Sequence, residues 1–435
     1  MFKTISNIFK IADLRSKILF TLGVLIIYRI GTFIPVPSIN TDALKQADSS
    51  QTADIFGLLN TFSGGALKNF SIFAMGIMPY ITASIIVQLL SMDVIPKFAQ
   101  WSKEGENGRR KLAQYTRYGT IILGFIQGYA TAVGFNRMYN SQMVLDPKVT
   151  TYLVIATVLA AGTAFLMWIG EQLNEYGVGN GISILIFAGI VSRFPTQVHQ
   201  LYSLWFTGDA ADQMFMNIVK VIVVILVIIG IIAGVIFIQQ GVRKIPIQYA
   251  QQVTGRQAVG GQNTHLPLKV NAAGVIPVIF ALSLLFFPAT IAQFWSTHAW
   301  AKWITNNLTY QQPLGMVLYV LLIVGFTYFY TFVQMNPVQM ADDLKKNGGY
   351  IPGIRPGEPT GVYLSRVMSR ITLFGALFLA VISALPIYFG KLASLPTSIS
   401  IGGTSLLIVI GVALDTMKQI NSQLMKRHYK GFINK

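Results

Sequence analysis

Apolar residues along this chain gather into ten runs, near 19–37, 72–91, 118–136, 150–169, 182–194, 216–238, 273–294, 314–335, 371–389 and 400–414, with polar residues filling the stretches between them. A helix that crosses a bilayer needs about 17–25 mostly apolar residues. The fifth and tenth runs are short, and the rest meet that length. The pattern predicts an all-α integral membrane protein with ten transmembrane helices. Ten is an even number, so both termini belong on one side.

The loop charges test that arrangement. The side holding the termini carries 24 basic residues against 10 acidic ones, whereas the opposite side carries 7 against 6. Of the formal charge of +17, Arg29 and Lys220 inside or at the ends of runs supply the remaining +2. By the positive-inside rule, the termini and the loops between runs 2/3, 4/5, 6/7 and 8/9 face the cytoplasm. Composition agrees: 53% of the 435 residues are hydrophobic and only 11% are charged, where a soluble chain is about one quarter charged. A soluble nucleic-acid binder is excluded, because that reading needs charge spread over a folded surface.

The first eighteen residues carry no small-residue cleavage site after the first apolar run, unlike a signal peptide. Phe2, Ile5, Phe9 and Ala12 share one helical face while Lys3, Lys10 and Lys17 recur on another. Residues 1–18 are therefore expected to form an amphipathic helix in the headgroup layer. The chain has no Cys, which removes disulfides, thiolate metal sites and Cys nucleophiles. His199, His265, His298 and His428 lie in four separate segments without ligand spacing, so neither a metal nor any other cofactor is expected.

Inside the runs there is no Asp or Glu away from the ends, and Arg29 and Lys220 are expected to snorkel to an interface. Ion-coupled carriers place ionisable groups at membrane depth, so the rival reading, a small-solute secondary transporter, lacks its usual parts. An intramembrane enzyme lacks them too, since no base accompanies the Ser and Thr residues in the runs. Two features point to a pathway. Gly76-Ile77-Met78-Pro79-Tyr80-Ile81-Thr82-Ala83 in run 2 matches Gly274-Val275-Ile276-Pro277-Val278-Ile279-Phe280-Ala281 in run 7. The five-run offset is odd, so the halves, runs 1–5 and 6–10, are inverted repeats. The second feature is the stretch 58–70, weakly apolar, too short to cross and broken by Gly64-Gly65. It is expected to be a half-helix dipping back from the external side into a sheltered cavity.

Five strings carry a family resemblance: Gly76 to Ile81, Glu104-Gly105-Glu106-Asn107-Gly108-Arg109-Arg110-Lys111, Gly179-Asn180-Gly181-Ile182-Ser183, Thr264-His265-Leu266-Pro267-Leu268-Lys269-Val270-Asn271, and Pro352-Gly353-Ile354-Arg355-Pro356-Gly357-Glu358. In that order, each in its loop or run, they resemble the SecY family of bacterial protein-conducting channels, over about residues 10–425. The resemblance implies a clamshell of two five-helix halves, 19–195 and 196–415, followed by a cytoplasmic tail, 416–435. Its pore would be pinched by an apolar ring, matched here by Ile81, Ile85, Ile186, Ile190, Ile279 and Ile408. The stretch at about 58–70 would be the family's plug, with Phe62, Ser63, Gly64, Gly65, Ala66 and Leu67 at its centre. A lateral gate between runs 2/3 and 7/8 would admit signal sequences sideways into lipid, with Gln88, Gln127 and Asn271 as its polar residues. Loops 239–272 and 336–370 resemble those that dock the ribosome or the SecA ATPase, through Arg243, Lys244, Arg256 and Arg355. At the loop tip Gly255-Arg256-Gln257 departs from the two successive arginines of some family members. The family also implies small SecE-like and SecG-like membrane subunits, translocating polypeptides as cargo, anionic lipids around the chain, and a place in the bacterial plasma membrane. It implies no enzyme activity in the chain itself, and no Walker A string occurs.

Overall fold

The computed structural model describes residues 11–40, 60, 63–92, 94–138, 143–206, 214–249, 253–254, 257–258, 264–292, 295, 298–309, 312–392 and 403–433. Each of the ten apolar runs overlaps a helix: α1 (Ala12–Gly31), α2 (Met78–Leu90), α4 (Glu106–Met138), α5 (Val149–Tyr176), α6 (Gly181–Phe206), α7 (Met214–Gln240), α8 (Ile276–Ala292), α10 (Pro313–Gln334), α12 (Glu358–Leu392) and α13 (Gly403–Ile433). Shorter helices lie between them: α3 (Pro96–Lys103), α9 (Ala299–Asn307) and α11 (Pro337–Lys346). Among the described residues, six helices are long and apolar enough to cross a membrane, and α2 and α8 are shorter apolar helices. The outward face of α7 shows how such a chain meets lipid: Phe215, Ile222, Leu226 and Phe237 are all exposed, as an apolar solvent allows.

Several boundaries differ from the sequence expectation. Residues 12–18 are not a separate interfacial helix, because α1 runs unbroken from Ala12 to Gly31; residues 1–10 lie outside the described residues. Helix α6 carries through Pro195 to Phe206, so the division between halves falls after that helix and not at residue 195. Helix α13 continues from the tenth run to Ile433, which makes the tail part of one long helix. Proline forfeits one intrahelical hydrogen bond without forbidding continuation, and strong helix formers such as Lys, Gln and Met extend a helix once it leaves the membrane.

The loops are more ordered than the apolar runs alone suggest. Strand β1 (Val242–Tyr249) pairs antiparallel with β4 (Thr264–Lys269) and with β5 (Gly349–Tyr350), in the order β4-β1-β5, and β2 (Val253–Thr254) pairs with β3 (Gln257–Ala258). From Lys244 on, β1 alternates: Ile245 and Ile247 are buried while Lys244 and Pro246 are exposed, and Arg243 is exposed at the strand's start. Ile245, Ile247 and Leu268 form a small core with Leu344, Ile351 and Leu364. Helix α11 starts where the Asn336 side chain accepts hydrogen bonds from the Val338 and Gln339 amides, a standard N-cap.

Of the stretch 58–70 read as a half-helix, residues 58, 59, 61 and 62 lie outside the described residues and Asn60 is helical, but from residue 63 onward the chain is not a helix. Residues 63–77 form consecutive turns, with hydrogen bonds Ala66 to Ser63, Phe70 to Leu67, Ala74 to Ser71 and Gly76 to Phe73. Gly64 at φ 67° and Gly65 at φ 90° are the cause, since a left-handed pair cannot continue a right-handed helix.

Candidate functional site: an apolar waist under a turn

The repeated motif has the same backbone in both halves. Gly76 and Gly274 adopt φ 55° and 65°, and two residues later α2 and α8 begin, each with proline at its second position. Proline suits a first turn because its missing N–H would have no partner there. The Ile81 amide donates to the Ile77 carbonyl at 3.1 Å, and the Ile279 amide donates to the Val275 carbonyl at 3.3 Å. These are matched bonds in matched positions, so the internal repeat is structural. Both helices are short: 13 and 17 residues rise about 20 and 25 Å, less than the roughly 30 Å of a bilayer core. Each therefore starts within the protein from a turned, sheltered segment, as discontinuous helices in membrane conduits do.

Ile81 and Ile85 from α2, Ile186 and Ile190 from α6, Ile279 from α8 and Ile408 from α13 all fall in one buried cluster. Their exposures run from 0% for Ile408 to 8% for Ile190. Ile81, Ile186 and Ile279 line a common apolar cavity of about 10 Å³, which the Ser63 side of the turn segment also lines. That volume sits at the lower limit for one water molecule. β-Branched side chains with few rotamers make a stiff lining, and a dry apolar constriction resists ions by dewetting.

The turn segment is closely packed. Ser63, Ala66, Leu67 and Phe70 are buried, and Ala66 belongs to the same cluster as the isoleucines. Phe62 lies outside the described residues. An unforeseen partner is Arg29: its Nη1 donates to the Gly64 carbonyl at 2.8 Å and to the Ser192 hydroxyl at 3.3 Å. The cation does not simply snorkel. Its only sequence signal was its isolation within an apolar run.

The three polar residues expected at the seam are not equivalent. Gln127, 5% exposed, lines a second cavity of about 30 Å³ among α2, α4, α8 and the turn segment, together with Thr82, Thr131 and Ser283. Gln88 donates to Ser84 within its own helix at 3.3 Å. Asn271 donates to the Gly274 carbonyl at 2.9 Å and so braces the turn before α8. The Oε1 of Gln88 and the Oδ1 of Asn271 are buried without a hydrogen-bond partner. Thr82, Thr131 and Ser283 were missed because a hydroxyl in an apolar helix ordinarily bonds back to its own backbone, as Ser283 does to the Ile279 carbonyl at 2.9 Å.

On the polar side, β1 brings the two expected docking loops together. Gln248 pairs with Tyr350 across β1 and β5, and the Tyr350 hydroxyl donates to the Gln248 side chain at 3.0 Å. Arg243, Lys244 and Arg355 are exposed. Arg355 sits in a turn between Gly353 at φ 81° and Gly357 at φ 99°, and its carbonyl accepts from the Thr360 hydroxyl at 2.8 Å. Arg256 lies outside the described residues. No group of His, Asp and Glu able to hold a metal occurs among the described residues.

Two inverted halves closing on an apolar waist, with discontinuous helices at their seam, are the architecture of a polytopic membrane conduit. The SecY family model matches residues 71–417. The chain is 62% identical over 434 residues to the protein translocase subunit SecY of Halalkalibacterium halodurans, covering 100% of both chains. It is 60% identical to that of Bacillus subtilis, again covering 100% of both, and 51% identical to that of Staphylococcus aureus, covering 99% of both. The fold is similar to a solved structure titled as that of a protein conducting channel, at TM-score 0.60 and 17% identity over 94% of this chain and 92% of that one. It is also similar to Sec61 in a canine ribosome-channel complex, at TM-score 0.59 and 16% identity with the same coverage. The chain belongs to the SecY family.

Proposed function

We propose that this chain is the pore-forming subunit of a protein-conducting channel, a passive conduit for unfolded polypeptides across the plasma membrane and for apolar helices sideways into it. The observation that carries the reading is that Ile81, Ile186 and Ile279, from three helices, line one apolar cavity with Ser63 of the turn, inside the buried cluster that also holds Ile85, Ile190 and Ile408. Such a ring opens around an extended chain and closes dry behind it. The turn is the plug of the external funnel in this reading. The gate opens where α2 and α4 meet α8, and Gln127 is its central polar residue, with Gln88 and Asn271 at its margins. The excess of basic loop residues supports a cytoplasmic placement of both termini.

Energy comes from a partner. The strand platform carrying Arg243 and Lys244, with Arg355 in the adjoining turn, is a basic surface suited to rRNA phosphate or to acidic protein surface; the ribosome and a SecA-type ATPase are the two partners that fit. SecE-like and SecG-like subunits and anionic lipids cover the apolar flanks. The absence of Cys makes the test clean. A single Cys at Ile81, Ile190 or Ile408 should crosslink to a stalled translocating chain, while one at lipid-facing Leu226 should not; crosslinks confined to the latter kind of position would refute the pore. Arg355→Glu should slow motor- or ribosome-driven transport without loss of assembly, and unchanged rates would remove Arg355 from the docking surface.

A further inference from the structure

We propose that Arg29 is a positioning residue that latches the 63–67 turn over the waist, and that the latch is released by exchange of its carbonyl acceptor. The proposal rests on reading that turn as the plug. Arg29 lies in the last turn of α1. Its guanidinium reaches across to two other elements, donating to the Gly64 carbonyl at 2.8 Å and to the Ser192 hydroxyl of α6 at 3.3 Å, with Phe33 stacked 4.6 Å below it. Ser192 is itself fixed, because its hydroxyl donates to the Gly189 carbonyl at 2.8 Å.

Gly64 is shaped for this seat. At φ 67° with a Cβ added, it would stand 3.1 Å from the Gly189 Cα, 3.2 Å from the Tyr28 hydroxyl and 3.3 Å from the Ser192 hydroxyl. The turn backbone thus lies directly on α1 and α6, glycine against glycine, and only a residue without a side chain presents its carbonyl there unstrained. On its other side Ser63 lines the cavity shared by Ile81, Ile186 and Ile279. Arg29 therefore acts on the waist through the turn, without touching the isoleucines' cavity.

Among the described residues, the acceptors are a carbonyl and a hydroxyl, not a carboxylate. A buried carboxylate partner would be costly to strip, whereas a neutral acceptor can be exchanged. If the turn leaves, a cation within an apolar span loses an acceptor and must find another. Water entering the external funnel supplies one, and so does an extended polypeptide, whose backbone carbonyls are chemically the same as that of Gly64. Displacement of the turn is in this way coupled to the arrival of water or cargo.

The test uses the channel complex in sealed vesicles with no translocating substrate. Two quantities are read: ion leak, and labelling of Ser63→Cys by a membrane-impermeant thiol reagent. Arg29→Gln should raise both about tenfold, at the lower end of what a hydrogen bond to a charged group is worth, while substrate translocation persists. Arg29→Lys, which keeps the charge but not the planar guanidinium stacked on Phe33, should restore part of the seal. Ser192→Ala should raise the leak about threefold and remains informative if Arg29→Gln fails to assemble. A deletion of residues 63–67 serves as reference. If the deletion leaks while the Arg29 and Ser192 variants stay as tight as the parent, the latch is overturned; if the deletion is also tight, the plug reading itself falls and takes the latch with it.

Discussion

If the proposed pore reading holds, truncating the isoleucines that share the waist cavity should convert a dry seal into a wet one. Ile81 and Ile279 are 4% and 7% exposed and share the apolar cavity of about 10 Å³. Replacing one by Ala removes three carbon groups, about 2.4 kcal/mol at roughly 0.8 kcal/mol per buried group, within the 2–5 kcal/mol seen for such truncations. The double variant Ile81→Ala with Ile279→Ala loses less than twice that if the two cavities merge, because neighbouring sites do not add. The merged space passes well beyond the ~10–15 Å³ that admits one water, so the waist wets and stops excluding ions. Ion efflux from sealed vesicles measures this directly. Ile155→Ala is the matched control: Ile155 is fully buried in a different cluster, with Val36, Phe70 and Leu159. It should cost similar thermal stability without leak. Equal leak from Ile155→Ala, or none from the double variant, would refute the assignment of the seal to these residues.

Four further outcomes are expected. Gly162→Val should prevent assembly, since a Cβ at Gly162 would already stand 1.9 Å from the Ile72 carbonyl oxygen; the yield of folded, protease-resistant chain checks it. The Arg117–Glu171 pair at 2.8 Å joins α4 to α5 but is half exposed on the Arg side, so a double-mutant cycle on thermal unfolding should give no more than about 1 kcal/mol, shrinking with salt. Leu268→Asp would bury a carboxylate in the core under the strand platform, where Leu268 is 1% exposed; motor or ribosome binding should fall while membrane insertion stays normal. In hydrogen exchange, the amides of Val36 and Ile72, paired across segments at 3.0 Å each, should be protected longer than those of Gly65 and Ala66, which bond only to the nearby Asn60 and Ser63 carbonyls.

The spans were legible in the sequence because an apolar run of sufficient length has few alternatives to a membrane helix. Their ends were not, since hydropathy records where the lipid stops and not where the helix does. Pro195 and the polar tail after the tenth run both misled for that reason. The strand platform was hidden by Pro246 within β1 and by a partner, β5, about a hundred residues away. The site was legible in part. The i, i+4 isoleucine pairs on α2 and α6 and the Gly-x-x-Pro repeat could be read directly. That Ile81, Ile186 and Ile279 from three helices would meet at one cavity came only with the family resemblance, because spacing within a helix says nothing about which helices meet. Arg29 gave only its oddity, and its partners lie 35 and 163 residues away.

The turn segment gains meaning from being other than a helix. A helix of that length would move as a rigid rod, with its bonds internal and its ends free. Instead the segment has a fixed base and a separate tip. At the base, the Val36 amide donates to the Phe70 carbonyl, the Ile72 amide donates to the Ile34 carbonyl, and the Asn69 side chain donates to the Thr32 carbonyl at 3.2 Å. Phe70 sits fully buried at φ 40°, edge-on to Phe135 at 5.5 Å. At the tip, Gly64 and Gly65 follow one another in left-handed backbone, and the reach from outside comes from the Arg29 side chain. Backbone pairing holds the base in register, while the tip is held from outside by Arg29 and locally by the bonds of the Gly65 and Lys68 amides to Asn60. The Arg29 contact is made at Gly64 itself, within the left-handed pair, so in the plug reading its exchange frees the tip where the backbone turns most cheaply while the base keeps its place for the return.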